Sequence, residues 1–253
     1  MPLPRTRTQR FFLEATPEAG EPRLSAEETT HALRVLRVRA NEEVVGLDGR
    51  GRAWPLRIRS VSRHELALEC TGPAREEPAP GLPGSSRPWV EVAVAWPRGA
   101  RADDLVSALT QLGVAAIRPL TTRRAGPQDP GGKADRRLRI ARESCKQSGS
   151  LWLPRIESPR SVAELVERPA HLAVLSPTAD ASVRSWLESR PADAGTESLP
   201  ITCAIGPEGG FDTDEAELLA ARGTEVRLAS TILRIETAAV AATSVIMAHF
   251  VGS

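Results

Sequence analysis

The chain has 253 residues, a formal net charge of +1 and 41% hydrophobic residues, which suits one large or two modest globular domains. The start, MPLPRTRTQRFF, has no apolar stretch of signal-peptide length and no run approaches a membrane span, so we expect a cytoplasmic protein. Three widely spaced cysteines and four scattered histidines form no ligand pattern, which predicts reduced core thiols and no metal site.

The first predicted elements are β-rich, with one helix. SAEETTHALRVLRVR predicts a helix with Ser25 as its N-cap and Glu28 completing a capping box. Asp48 and Gly49 lie between two strand-like runs, which is the strongest short signal for a hairpin, and HELALEC supplies another alternating strand. These elements predict a small β domain.

From residue 89 onward, strands and helices alternate. WVEVAVAW, VAAIRPL, HLAVLSP, ITCAIG and EVRLA predict strands, with amphipathic helices between them. This order predicts an α/β fold with a parallel sheet, in which ligands bind beyond the carboxyl ends of the strands. We therefore divide the chain into a β domain at 1–72, a linker rich in Pro, Gly and Ser at 73–88, and an α/β domain at 89–253.

One strand end, AIGPEGGF at 204–211, places three glycines and a proline before an acidic helix start. It matches neither the dinucleotide fingerprint nor a phosphate cradle. Glu208 would repel a phosphate but could accept a hydrogen bond from an amino, hydroxyl or imino group. The stretch is therefore either a ligand-facing loop or a tight turn in which Pro207 and Gly209 set the backbone and Asp212 caps the next helix.

The last strand end leads through STILRIETA into a helix of small apolar residues. Arg234 and Glu236 lie between an apolar loop and that helix, where charged groups should be paired or should bind a ligand. A simple Arg234–Glu236 surface pair is the alternative. The helix TAAVAATSVIMAHFV is apolar all round, which predicts burial on more than one face.

Six stretches together resemble the RsmE family, the bacterial 16S ribosomal RNA (uracil-N3)-methyltransferases of the SPOUT superfamily: RFF, HALRVLRVR, LTQLGVAAIRPL, CKQSGSLWLPRI, AIGPEGGF and LRIETA. The resemblance covers nearly the whole chain. It implies a PUA-like β-barrel RNA-binding domain followed by a SPOUT-type α/β domain with a parallel sheet. It also implies that the α/β domain forms a trefoil knot and that the protein is a homodimer.

The resemblance further implies that the strand-end loops hold S-adenosylmethionine. Three glycines of the GPEGG loop would let the backbone close around the cofactor where a Cβ would collide, and a proline would stiffen the loop. The implied cofactor-binding residues are Leu175, Ser176, Pro177, Gly206, Pro207, Glu208, Gly209, Gly210, Leu228, Leu233, Arg234, Glu236, Thr237 and Ala238.

The implied reaction transfers a methyl group from a sulfonium to N3 of a uridine. N3 carries a weakly acidic proton, so the enzyme should favour its loss and stabilise negative charge on O2 and O4. Arg234 is the candidate for that electrostatic role, while Glu208 or Glu236 could accept the proton or orient Arg234. Because pairing occupies N3, the base must be unpaired or extruded.

The implied partner is 16S ribosomal RNA or the small ribosomal subunit. Basic residues outnumber acidic ones, 13 against 6, between 98 and 160, and with only 4% aromatic residues phosphate contacts should dominate over base stacking. The candidate RNA contacts are Arg10, Arg34, Arg37, Arg123, Arg124 and Gln147. The chain departs from the family's usual pattern at Ala108, Gln111, Lys146 and Ser150, which bears on the RNA-facing surface.

Two other classes of function stay open. One is an RNA-binding protein that keeps the fold without activity, and the other is a SPOUT methyltransferase acting on transfer RNA or on another ribosomal site. GPEGG and LRIETA favour an active enzyme over the first, and the N-terminal domain with the full-length match disfavours the second.

Overall fold

The structure is a computed structural model that describes three stretches of the chain, 8–125, 134–191 and 193–251. The chain divides into two compact units. The first takes residues 1–77 and 145–152, and the second takes 78–144 and 153–253. The boundary at residue 77 lies within the segment 73–88 that the sequence predicts as a linker.

The first unit contains a six-stranded sheet in the order β2-β1-β3-β4-β5, with β6 also paired to β4. Only β1 and β3 pair in parallel. β2 contacts β5, so the two ends of this order approach each other and the sheet curves around its core. Its strands are β1 (Gln9–Ala15), β2 (Arg23–Leu24), β3 (Glu43–Leu47), β4 (Arg52–Val61), β5 (Leu66–Cys70) and β6 (Arg75–Glu76).

The predicted hairpin is confirmed between β3 and β4. Asp48 Oδ1 accepts from the backbone N–H groups of Arg50 and Arg52 at 2.6 and 3.1 Å, and Gly49 takes the left-handed conformation with φ 70°. An aspartate followed by a glycine suits such a turn, because the side chain satisfies turn donors and the glycine accepts positive φ without strain.

The predicted helix begins at Ser25, whose hydroxyl accepts from the Glu28 N–H at 3.2 Å, and it runs as α1 (Ala26–His31) into a π-helical turn at Ala32–Leu36. The capping-box role of Glu28 was wrong. Its carboxylate instead accepts from Lys146 Nζ at 3.0 and 3.1 Å, and both side chains are about nine-tenths buried. A buried carboxylate needs such a charged partner.

The segment 145–152 belongs to the first unit, which the sequence did not indicate. Arg10 Nη1 donates to the Lys146 carbonyl at 2.9 Å, and the Gly51 N–H donates to the Leu151 carbonyl at 3.0 Å. The Trp152 indole N–H donates to the Glu77 carbonyl at 3.1 Å. Contacts across so many residues leave no local signal in the sequence.

The second unit confirms the predicted α/β fold. Its seven-stranded sheet has the order β10-β8-β7-β12-β11-β13, with β9 also paired to β8, and every pairing is parallel. The strands are β7 (Val90–Ala95), β8 (Ala116–Thr121), β9 (Arg155–Ile156), β10 (Arg160–Ser161), β11 (His171–Leu175), β12 (Ile201–Ile205) and β13 (Gly223–Val226).

Helices cover this sheet and complete its core. α7 packs against α2, α5, β7 and β12, and small residues such as Ala239 and Ala242 let it lie fully buried along that side. The helices are α2 (Ala100–Leu112), α3 (Ala134–Ser148), α4 (Val162–Val166), α5 (Val183–Glu188), α6 (Thr213–Arg222) and α7 (Ile235–Phe250). No helix in the described stretches has both the length and the apolar composition needed to cross a membrane.

The three cysteines are free thiols, but only two are buried. Cys70 is exposed, so its assignment to the core was wrong. Burial raises the pKa of Cys203, in β12, to about 12, which keeps this thiol protonated and unreactive.

Candidate active site

A cavity of about 480 Å³ lies at the carboxyl ends of β11 and β12 and beside the segment between β13 and α7. This size is typical of pockets for small molecules and cofactors. It brings together most of the residues that the sequence predicts for cofactor binding. Those lining it are Leu175, Ser176, Pro177, Gly206, Pro207, Glu208, Gly209, Gly210, Leu228, Leu233, Arg234 and Ala238.

Two predicted residues, Glu236 and Thr237, do not line the cavity. Six residues that the sequence did not single out do line it. They are Ile205, Phe211, Ala229, Thr231, Ile232 and Ile235. Five of them lie within the quoted stretches AIGPEGGF and STILRIETA, and Ala229 directly precedes the second stretch, so taking every residue of both stretches would have found all but Ala229.

The loop after β12 is a tight turn. The Gly210 N–H donates to the Pro207 carbonyl at 2.8 Å, and Gly210 has a φ of 71°, which favours glycine. A Cβ on Gly206 would lie 3.0 Å from the Phe211 ring, whereas one on Gly209 would lie 3.7 Å from its nearest neighbour, Arg124. Among protein atoms, therefore, the turn requires glycine at 210 and the Phe211 ring crowds position 206, while position 209 has room for a side chain.

This turn leads directly into α6. Asp212 Oδ1 accepts from the Glu215 N–H at 2.8 Å, and a Glu215 oxygen accepts from the Asp212 N–H at 3.0 Å, which forms a complete capping box. The backbone hydrogen bond from Glu215 lowers the pKa of Asp212, and the nearby Arg123 adds to that effect. Asp212 therefore caps the helix, as the alternative reading of this stretch proposed, and the cavity faces the same loop.

Arg234 is the N-cap residue of α7 and lines the cavity. Its side chain is exposed and makes no hydrogen bond or ion pair with any residue in the described stretches. The Arg234–Glu236 pair considered from the sequence is therefore not formed. A guanidinium beside a cavity, without a protein partner, is available to a ligand.

The two candidate carboxylates share a different arginine. Oε1 of Glu208 and Oε1 of Glu236 each lie 3.9 Å from Arg101 Nη1. The other oxygen of Glu236 is buried and has no hydrogen-bond partner in the described structure. Sequence reasoning missed Arg101, because α2 is distant in sequence from both loops.

The six predicted RNA contacts fall into three pairs. Arg34 and Arg37 are exposed, and neither has a partner among the described residues. Arg10 is half-buried and holds the Lys146 carbonyl, while Gln147 is exposed and makes a polar contact of its own. Arg123 and Arg124 contact the loop and helix start that follow β12.

No group of three or more histidine, cysteine or acidic side chains is placed to hold a metal in 8–125, 134–191 or 193–251.

The chain matches two family models. Residues 85–247 match the model of an RNA methyltransferase domain, and residues 24–69 match that of an RNA methyltransferase PUA domain. Among curated proteins, it is 30% identical to proteins named ribosomal RNA small subunit methyltransferase E from a Synechocystis strain and from Mycobacterium bovis. These matches cover 81% and 92% of this chain, and they span 65% and 88% of the two relatives.

Two solved structures share this fold. A Legionella pneumophila protein described as a methyltransferase, in complex with bound SAM, superposes with a TM-score of 0.80 at 25% identity, covering 96% of this chain and 98% of that one. A ribosomal RNA small subunit methyltransferase E from Neisseria gonorrhoeae superposes with a TM-score of 0.78 at 24% identity, with the same coverage.

Proposed function

Because the chain belongs to the RNA methyltransferase family and also matches an RNA methyltransferase PUA domain, we propose that it transfers a methyl group from S-adenosylmethionine to N3 of a uridine in 16S ribosomal RNA. The observation that carries this proposal is the cavity at the carboxyl ends of β11 and β12, with Arg234 in its wall and without a partner in the described part of the chain. The names of the curated relatives support ribosomal RNA as the substrate.

The residues of the cavity fit S-adenosylmethionine. Leu175, Leu228 and Leu233 offer apolar walls for an adenine and for the methionine chain. The turn around Gly209 and Gly210 presents backbone groups without side chains, which suits close approach of a polar ligand. When bound, the cofactor supplies an electrophilic methyl group on a positively charged sulfur.

Arg234 would act on the RNA base. Its guanidinium lies at the cavity, so its positive charge can stabilise the negative charge that develops on the uracil oxygens as N3 loses its proton. Glu208 is the better placed proton acceptor of the two carboxylates, because it lines the cavity and is largely exposed. Glu236 lies outside the lining and would instead help Arg101 to position the loop.

Arg34 and Arg37 would bind RNA phosphates. Both are exposed and unpaired within the described residues, as a phosphate-binding arginine should be before RNA arrives. Arg10 would support the first unit rather than bind RNA, because its guanidinium already holds a backbone carbonyl.

The remaining expectations extend this proposal. The protein would act in the cytoplasm as a homodimer, with the RNA-binding domain at 1–72, the linker at 73–88 and a knotted methyltransferase domain at 89–253. Within a single chain, α7 is buried along one side only. Its outward residues Val240, Ala241 and Ser244 are partly buried. A second copy of the chain would cover them.

Isotope-labelled S-adenosylmethionine tests the reaction. The purified protein is incubated with it and, in separate reactions, with deproteinised 16S RNA, small ribosomal subunits or transfer RNA, and the nucleosides are analysed by mass spectrometry. We expect labelled 3-methyluridine. Label on another nucleoside, or only in transfer RNA, would identify a different methyltransferase. Cofactor binding without any transfer would identify an inactive RNA-binding relative.

A further inference from the structure

The segment 122–125, which follows β8, makes hydrogen bonds and ion pairs with the loop and helix start that follow β12. Arg124 Nη1 donates to the Gly209 carbonyl at 2.9 Å. The Arg123 N–H donates to Glu215 Oε1 at 2.9 Å, and the Arg123 guanidinium lies 2.7 Å from Asp214 and 3.0 Å from Asp212. Two consecutive arginines therefore bind the same stretch of chain at different points.

The two arginines act on different parts of that stretch. Arg123 binds acidic side chains at the start of α6, where Asp212 and Glu215 already form a complete capping box. That helix start is held by its own hydrogen bonds whether or not Arg123 is present. Removing the Arg123 side chain should leave the loop that precedes α6 unchanged.

Arg124 binds the turn itself. The Gly209 carbonyl belongs to the four-residue turn from Pro207 to Gly210, which lines the cavity and lies outside any helix or strand. The aliphatic part of Arg124 also lies along Gly209, since a Cβ on that glycine would be 3.7 Å from both Cβ and Cδ of the arginine. One side chain thus fixes the carbonyl direction and covers the outer side of the turn.

We propose that Arg124 is a positioning residue for cofactor binding: it holds the turn at 207–210 in the conformation that forms the cavity wall. This inference rests on the proposed function. Arg124 does not line the cavity and acts through Gly209. A loop that is ordered before the ligand arrives spares the ligand the free energy of ordering it, which increases affinity. Without Arg124 the turn would keep, among the described residues, its internal hydrogen bond from the Gly210 N–H to the Pro207 carbonyl and the 3.9 Å ion pair between Glu208 and Arg101.

The test compares three variants in the absence of RNA, so that any contact of these arginines with RNA does not contribute. Calorimetric titration with S-adenosylmethionine should show a Kd about tenfold higher for Arg124→Ala, the loss expected for one charge-assisted hydrogen bond. Arg124→Lys should recover most of the affinity, because a single carbonyl needs only one donor. Arg123→Ala is the matched control and should bind as the wild type does.

Kinetics separate positioning from a general structural defect. Arg124→Ala should raise the KM for S-adenosylmethionine while kcat at saturation changes by less than about twofold, since a saturated loop is ordered by the ligand itself. Equal Kd values for Arg124→Ala and the wild type would overturn the inference. So would an equal loss in Arg123→Ala, which would show that local charge matters and the Gly209 contact does not. A wild-type protein that binds no S-adenosylmethionine would overturn the proposed function and this inference with it.

Discussion

The two ends of the parallel sheet use the same types of charged residue in opposite ways. At the amino ends of the strands, Glu91 of β7 and Arg118 of β8 are almost completely buried and bind each other. At the carboxyl ends, Arg234 has no partner in the described structure and one oxygen of Glu236 is buried without one. The comparison separates charges that stabilise this fold from charges that are available to a ligand.

Glu91 and Arg118, the pair at the amino end, each have more than one hydrogen-bond partner. Glu91 accepts from Arg118 Nε at 2.6 Å, from Arg118 Nη2 at 2.8 Å and from the Trp89 indole N–H at 3.0 Å. Arg118 also donates to Glu157. Burial alone would raise the pKa of Glu91, but the hydrogen bonds from Arg118 and Trp89 outweigh it and hold that pKa below its ordinary value.

Most buried polar groups find partners, but in the described structure Glu236 Oε2 does not, and neither does His171 Nε2 at the amino end of β11. An unpaired buried oxygen on Glu236 destabilises the fold unless something else donates to it. Glu91 is therefore well paired, whereas Arg234 lines the cavity without a partner among the described residues and is the charge there that a ligand can bind.

Removing the amino-end carboxylate should have the largest effect. Glu91→Ala leaves Arg118 buried with only Glu157 as a charged partner at hydrogen-bond distance, so we expect the free energy of unfolding to fall by about 3–5 kcal/mol. Urea denaturation measures this loss. Cofactor affinity of the folded variant should not change, and a variant of normal stability that had lost cofactor binding would reverse the comparison.

The contribution of Glu91 to stability should be lost at low pH. Because the folded-state pKa of Glu91 lies below its ordinary value of 4.5, its stabilising contribution is complete above pH 4.5 and is lost as the pH falls through the lower, folded value. Stability measured from pH 6 downward should therefore fall more steeply in the wild type than in Glu91→Ala. Parallel curves would show that Glu91 does not contribute to acid unfolding.

Arg234→Ala should have the next largest effect, and on rate rather than on stability. Loss of one oriented donor typically lowers the rate of reaction by about 100- to 1000-fold. Thermal stability should stay close to that of the wild type, because Arg234 has no partner among the described residues to lose. Single-turnover rates beside cofactor titrations give the measurement. Arg234→Lys should rescue only in part, and near-normal chemistry in a saturated Arg234→Ala would remove this residue from the catalytic set.

A substitution in the turn at 207–210 should affect both stability and the function of the site, each to a smaller extent. Gly210→Val places a β-branched residue at a φ of 71°, a strain of roughly 1–3 kcal/mol that the turn would relieve by changing shape. Cofactor affinity should fall accordingly in calorimetric titrations. Gly209→Ala is the control, since a Cβ there meets its nearest neighbour only at 3.7 Å. Equal effects of the two substitutions would show that crowding by the ligand, rather than backbone strain, sets the need for glycine.

Arg101→Ala should have the smallest effect on stability. Its two ion pairs are 3.9 Å long and its side chain is 39% exposed, so we expect a loss of less than about 1 kcal/mol by urea denaturation. A loss as large as that from Glu91→Ala would mean that the carboxyl end is held by charge as firmly as the amino end.

Local chemistry made much of the fold predictable. Asp48 and Gly49 fix a hairpin, Ser25 begins a helix and Gly113 ends one with a φ of 81°, each through contacts within a few residues. Alternation of strands and helices predicted the parallel sheet. The cavity lining followed mainly from the resemblance of GPEGG and LRIETA to a known family, with the glycine pattern as physical support.

Contacts between distant parts of the chain account for what the sequence did not reveal. Arg101 reaches loops more than a hundred residues away, and Arg124 holds a carbonyl 85 residues further along. Glu28 suits a capping box by spacing, yet a lysine 118 residues away takes its carboxylate, because burial of that carboxylate requires a charge. Such choices depend on tertiary packing, which spacing alone does not encode.

The buried pair between Glu28 and Lys146 also sets the order in which the protein can be completed during synthesis. Residues 1–77 leave the ribosome well before 145–152 exist, so the first unit waits for about 75 more residues, or roughly 4 to 15 seconds at ordinary rates of translation. During that interval Glu28 has no lysine partner, so we expect its carboxylate to stay in contact with water. A fragment that ends at residue 77 would lack Lys146 permanently, so we expect it to be less stable than the same residues are in the full chain.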